Sequence, residues 1–125
     1  MNKAINLTSA EERLAAIIWR EAPVASPVLS DFAFTELGWK KTTTYTVLKK
    51  LCEKGVFRNE YAKVSVVLTR DELISRQSRR YVEDTFGGSL PRFVASFIDG
   101  KSLTKEQADE LIELIQNHKG GADNG

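Results

Sequence analysis

The stretch Gly38–Phe57, "GWKKTTTYTVLKKLCEKGVF", sets five lysines and four threonines around a regular apolar series. Thr44, Val47, Leu48 and Leu51 fall at i, i+3, i+4 and i+7, which places them on one side of a helix. Gly55 follows the last turn, where a left-handed residue is wanted. The opposite side displays Thr42, Thr43, Tyr45, Thr46, Lys49 and Lys50. Threonine is a mediocre helix former because its branched side chain loses rotamer freedom, so four of them between positions 42 and 46 do not serve helix stability alone.

Upstream, two more helices are legible. In "LTSAEERLAAIIW", Thr8 and Glu11 have capping-box spacing, with Ser9 and Glu12 as an overlapping alternative, and Leu14, Ile17 and Ile18 supply the stripe. This helix should end near Glu21, before Pro23. In the next, Ser26 is the expected cap and Pro27 suits the first helical position. Leu29, Phe32, Ala33 and Leu37 form its buried side, Gly38 stops it, and Trp39 is expected to anchor the following turn.

Downstream the period changes. "VFRNEYAKVSVVLT" is rich in β-branched and aromatic residues, with Phe57, Asn59 and Tyr61 on one face and Arg58 and Glu60 on the other. A turn near Ala62 and Lys63 makes a short hairpin. Three helices followed by a hairpin is the arrangement of a winged helix-turn-helix, whose third helix enters the major groove.

The last third is helical again. A helix from Asp71 carries Ile74, Tyr81 and Val82, and Gly87 and Gly88 end it. "SLPRFVASFI", opened by Ser89 or Leu90, spaces Leu90, Phe93, Val94 and Phe97 along one side. Thr104 and Gln107 have capping-box spacing ahead of Ala108, Leu111, Ile112 and Ile115, and Gly120 closes this helix. Ile74, Tyr81, Leu90, Phe93, Val94, Phe97, Leu111, Ile112 and Ile115 exceed what a small three-helix unit would cover, which points to a dimerisation region. The alternative is that these helices fold back onto the N-terminal part as one larger core. The fold class expected is therefore mainly α with a small β-hairpin wing: a winged helix-turn-helix domain over residues 1–69, dimerisation helices over 70–118, and a flexible tail over 119–125.

Net charge is +1 for the 125 residues, but it is unevenly placed. Residues 1–37 carry three basic and five acidic side chains, residues 38–63 seven and two, and residues 64–125 eight and ten. A basic segment in a near-neutral chain is the footprint expected for phosphate contact, although an ordinary solvated lysine face would look the same. One cysteine, Cys52, excludes an internal disulfide and reads as a packing residue. No window approaches the roughly 20 apolar residues of a membrane span, and a cytoplasmic protein is expected. A single histidine, His118, at a helix end, and the lack of a phosphate loop or paired carboxylates leave no frame for catalysis, cofactor or metal. The arginines of "SRQSRR" read as a solvated face.

The chain resembles the penicillinase-repressor and methicillin-resistance-regulator family of bacterial winged-helix repressors, which includes copper-responsive members. The resemblance is carried by "LTSAEERLAAIIW", by "GWKKTTTYTVLKKLCEKGVFRNE" and by "GGSLPRFVASFIDGKSLTKEQADELIELI". It implies a cytoplasmic homodimeric repressor on dyad-symmetric operator DNA, of antibiotic-resistance type. It further implies release through cleavage of the dimerisation region, at Ser96–Phe97 in "VASF", by a membrane-bound sensor protease. The copper branch has a cysteine-rich tail and this chain ends "NHKGGADNG", so a metal-responsive repressor is the lesser alternative. Departures are Thr44 in place of an apolar residue, Glu12 in place of tryptophan, and a wing without a tip glycine or an aromatic second strand.

From charge and reach, Lys40, Lys41, Lys49, Lys50, Arg58 and Lys63 are the expected phosphate contacts, and Thr42, Thr43, Tyr45 and Thr46 the expected base contacts. A winged fold can also be a protein-interaction module, its basic helix meeting an acidic partner. Sequence-dependent duplex binding separates the two.

Overall fold

The computed structural model describes residues 5–120. Its elements in chain order are α1 (Ser9–Glu21), β1 (Val24–Ala25), α2 (Ser26–Leu37), α3 (Lys41–Glu53), β2 (Phe57–Glu60), β3 (Lys63–Val66), α4 (Arg70–Phe86), α5 (Leu90–Ile98) and α6 (Lys105–His118). The fold is mainly helical with one small antiparallel sheet, and α1 to β3 have the order of a winged helix-turn-helix. The chain divides into two compact units, residues 1–81 and 82–125. Of the expected tail, residues 121–125 lie outside the described residues.

In the first unit, α1 opens with the reciprocal cap: Thr8 N–H donates to Glu11 Oε1 (2.9 Å) and Glu11 N–H to Thr8 Oγ1 (3.1 Å). Two of the helix's orphan donors are thereby satisfied. Leu14, Ala15, Ile17 and Ile18 are buried against α2, α3 and β3. The start of α2 differs from expectation, since Ala25 is the N-cap and Ser26 the first helical residue, with no side-chain cap. The reason is the sheet. Ser26 N–H donates to Ala62 O (2.8 Å), so the backbone is held by the wing at the place a cap would have organised. Gly38, at φ 72°, ends α2 in the left-handed region that a side chain would resist.

The hairpin pairs β2 with β3 from Phe57↔Val66 to Glu60↔Lys63. Its two-residue turn is Tyr61–Ala62, one position earlier than expected, with φ of 53° and 59°. Two positive φ values mark the turn type whose twist matches a tight hairpin, and one that favours Asn-Gly over the pair found here. β1 adds a third strand through Val24↔Val64 and Ala25↔Lys63, giving the order β1-β3-β2. Two residues are too short to show alternation, so no sequence period announces this strand. Trp19 then ties the sheet to the helices: its indole N–H donates to Leu68 O (2.9 Å), and its ring lies 5.3 Å from that of Phe57. Leu14, Ile18, Leu29, Leu48, Leu51, Val56, Phe57 and Val64 fill the centre. Each such side chain contributes about 1.5 to 3 kcal/mol of burial free energy.

α4 opens one residue before expectation through a second reciprocal cap, Thr69 with Glu72 (2.8 and 3.1 Å), within a segment that reads as a simple linker. In the second unit Ser89 caps α5 by accepting from Arg92 N–H (3.2 Å), and Thr104 and Gln107 cap α6 reciprocally, as their spacing predicts. Phe86, Phe93 and Phe97 form a ladder with centroid separations of 5.6 and 6.2 Å. No residue of α5 or α6 is buried.

Candidate nucleic-acid interface

α3 is held from beneath. Thr44, Leu48 and Leu51 are buried and Val47 is half-buried, as the spacing requires. Thr44 is fully enclosed, and its hydroxyl donates to Lys40 O at 3.4 Å, so this polar side chain is buried with a partner. Trp39 packs against the core in the turn before α3, which is the anchoring role expected of it.

The outer side of α3 carries Thr42, Thr46 and Lys49 one turn apart, flanked by Thr43 and Lys50, all exposed. Thr46 donates its hydroxyl proton to Thr42 O (2.9 Å), which leaves the hydroxyl lone pairs and the methyl group outward. Lys40 and Lys41 are exposed at the helix start. Lys40 occupies the N-cap position, and no side chain caps this end. A helix N-terminus without a capping acceptor attracts an anion through its free N–H groups and its dipole, and here two lysines stand beside it.

Tyr45 is placed differently from the threonines. It is half-buried and packs against the core, on the flank of α3 rather than at the centre of its outer side. In the wing, Arg58 and Lys63 are exposed, but Glu60 stands between them: its carboxylate lies 4.0 Å from Arg58 Nε, and Lys63 is its cross-strand partner. The wing therefore presents two cations tempered by one anion. Tyr61, which alternation places on a strand face, is at the turn and wholly exposed (103%). The pairing of Glu60 with Lys63 is what leaves Tyr61 and Ala62 as the turn.

Lys54 belongs to the architecture. Its ammonium pairs with the buried Glu11 carboxylate and donates to Asn6 O (2.7 Å), joining the end of α3 to the start of α1. Burial pushes the Glu11 pKa up, but the Lys54 hydrogen bond, the Thr8 N–H and the charges of Lys54 and Lys50 outweigh it and hold the carboxyl below its ordinary value. Burial pushes the Cys52 thiol up, only partly offset by a hydrogen bond from the Asn59 backbone, so the thiolate is scarce, as suits a packing residue. Glu12 is exposed and lines, with Trp19, Arg70, Leu73, Ile74 and Gln77, a cavity of about 270 Å³. Among the described residues no helix is long and apolar enough to cross a membrane.

A family model described as penicillinase repressor matches residues 7–117. The chain is similar to the penicillinase repressor of Bacillus licheniformis, 23% identical over 124 residues that cover 95% of this chain and 96% of that protein. It is also similar to the methicillin resistance regulatory protein MecI of Staphylococcus aureus strain N315, 19% identical over 118 residues that cover 91% and 96% of the two chains.

Proposed function

The chain belongs to the penicillinase repressor family, and from that premise we propose that it is a homodimeric transcriptional repressor of dyad-symmetric promoter DNA. The observation that carries the reading is the exposed threonine and lysine side of α3 at an uncapped helix start. Lys40, Lys41, Lys49, Lys50, Arg58 and Lys63 neutralise phosphates and set the register. Thr42, Thr43 and Thr46 meet base edges and thymine methyls, with Tyr45 at the margin. A good bidentate base contact discriminates by about 1 to 3 kcal/mol, and each neutralised phosphate adds about −0.9 to the slope of log affinity against log salt.

The second copy is supported by the apolar sides of α5 and α6. Leu90, Phe97, Ile112 and Ile115 are each more than half exposed in the single chain, as are Ile74 and Tyr81 of α4. Phe93, Val94 and Leu111 are only partly covered. Two copies joined there carry their α3 helices to half-sites about 34 Å apart or a multiple of it. Release follows from cleavage at Ser96–Phe97 by a membrane-bound sensor protease. Both residues are exposed, and a nine-residue helix with nothing buried opens locally at small cost, which a protease needs. The cut removes Phe97 from its ladder with Phe93, and two half-sites held separately lose the avidity of a linked pair.

Fluorescence anisotropy tests the reading, with a duplex covering the promoter of the protein's own gene and a scrambled duplex, across a salt series. Tight binding to the first alone near physiological salt is expected, and Lys49→Ala should lower the salt slope by about 1 per half-site. Equal binding to both duplexes would overturn operator reading and favour an acidic protein partner for the same face.

A further inference from the structure

The sequence of α3, KTTTYTVLKKLCE, contains no arginine, asparagine or glutamine, the side chains that read guanine or adenine through paired hydrogen bonds in the major groove. Discrimination between bases on this helix therefore falls to its exposed threonines and lysines. A lysine ammonium is a compact point charge, which a phosphate satisfies as readily as a base acceptor does. The threonines are the finer readers, and they are not equivalent.

A hydroxyl has one proton to donate and two lone pairs with which to accept. Thr46 spends its proton inside the helix, on Thr42 O at 2.9 Å. Its oxygen lone pairs and its methyl group remain for a ligand. Among the described residues the hydroxyls of Thr42 and Thr43 have no such commitment, so they can donate or accept as a base edge requires. Turning the Thr46 hydroxyl outward would give up an existing bond for another of the same kind, whereas accepting a proton adds a bond and loses none.

An acceptor beside a methyl selects among base pairs. In an A·T pair adenine offers its N6 amino donor and thymine its C5 methyl. A G·C pair offers the cytosine N4 amino group without a methyl, and its guanine turns two acceptors, O6 and N7, toward an oxygen with no proton left to give. We propose that Thr46 is the residue through which α3 selects an A·T pair in each half-site, its hydroxyl accepting from adenine N6 and its methyl packing on the thymine methyl. This selection rests on the operator-binding reading above and adds to it the identity of a base pair.

The test changes single groups of the DNA. In fluorescence anisotropy with the promoter duplex, each adenine of the bound half-site is exchanged in turn for purine, which lacks the N6 amino group, and each thymine for deoxyuracil, which lacks the methyl. Parent protein is compared with Thr46→Val and Thr46→Ser on every duplex, which cancels any effect on the duplex itself, and position 46 is exposed, so neither variant disturbs the core. At one adenine, loss of the amino group should weaken the parent about tenfold and Thr46→Val, which keeps the branched shape without the hydroxyl, less than about twofold. At one thymine, loss of the methyl should weaken the parent about threefold and leave Thr46→Ser, which has no methyl, unchanged. Parent and variants that respond alike at every position would overturn the assignment of Thr46 and leave operator reading intact. A guanine whose exchange for 7-deazaguanine weakens the parent but not Thr46→Val would also overturn it, by showing that the hydroxyl donates. A parent that binds promoter and scrambled duplexes equally would overturn operator reading itself, and this assignment with it.

Discussion

In the first unit, α1, α2, α3 and the sheet enclose a continuous core in which Leu14, Leu29, Leu51 and Val64 have no exposed surface, whereas in the second unit α5 and α6 bury no residue at all. Both regions are built from helices with regular apolar spacing, and α5 and α6 are capped by side chains as α1 is. Spacing and capping therefore establish that a helix forms, and leave open whether its apolar side has been given a partner. Ordering a residue costs roughly 1 to 2 kcal/mol of backbone entropy, and in the second unit the chain alone offers little burial against it. The second copy proposed above would supply that burial.

The largest expected effects break or uphold this contrast directly. Leu51→Ala should destabilise the protein by about 3 kcal/mol in chemical denaturation, since it empties a site with no exposed surface. Phe97→Ala, at a side chain 70% exposed, should shift the same curve at low protein concentration by less than about 0.5 kcal/mol. Similar losses for both would dissolve the distinction between the two regions. In sedimentation equilibrium the order reverses: Phe97→Ala should weaken the dimer by about 2 kcal/mol, roughly thirtyfold. An unchanged association constant would remove α5 from the dimer surface.

A smaller effect sharpens the account of the first unit. Glu11 has its pKa lowered in the folded protein, against burial, by Lys54, Thr8 and the charge of Lys50. A carboxyl lowered on folding contributes stability that is complete above its unfolded value and is lost as pH falls through the folded value. Glu11→Gln should therefore cost about 1.5 kcal/mol at neutral pH. The gap between variant and parent should close on acidification, and a gap independent of pH would show that the ion pair is not its source. The smallest effect concerns the wing. Ala62 sits at φ 59°, a conformation glycine adopts freely, so Ala62→Gly should raise stability by about 0.5 kcal/mol after the greater flexibility of the unfolded chain is discounted. A loss there would mean that the alanine methyl packs usefully at the tip.

Much of the site was legible from local pattern. The spacing of Thr44, Leu48 and Leu51 located the buried side of α3, and so its exposed side, because a helix has one geometry whatever surrounds it. Thr42, Thr43, Thr46 and the four flanking lysines could be assigned to solvent on that ground alone. Tyr45 was placed on that same side and is half-buried instead, because a residue on the flank of a helix is covered or bare according to its neighbours, and here the core reaches it. Glu60 was visible in the sequence, but its position between Arg58 and Lys63 depended on the hairpin register, which the Tyr61–Ala62 turn sets.

Helix positions, most of their caps and the stops at Gly38 and Gly55 follow from interactions within a few residues, and a linear sequence displays those in full. Three features escaped such a reading: β1 as a third strand, the transfer of the α2 cap from Ser26 to Ala25, and the commitment of Lys54 to Glu11 across 43 positions. Each arises where segments distant in sequence compete for the same hydrogen-bonding group. The backbone of β3 can be paired by whichever strand reaches it, and an ammonium by whichever carboxylate is brought near. Local chemistry limits those choices, and packing of the helices around one core makes them.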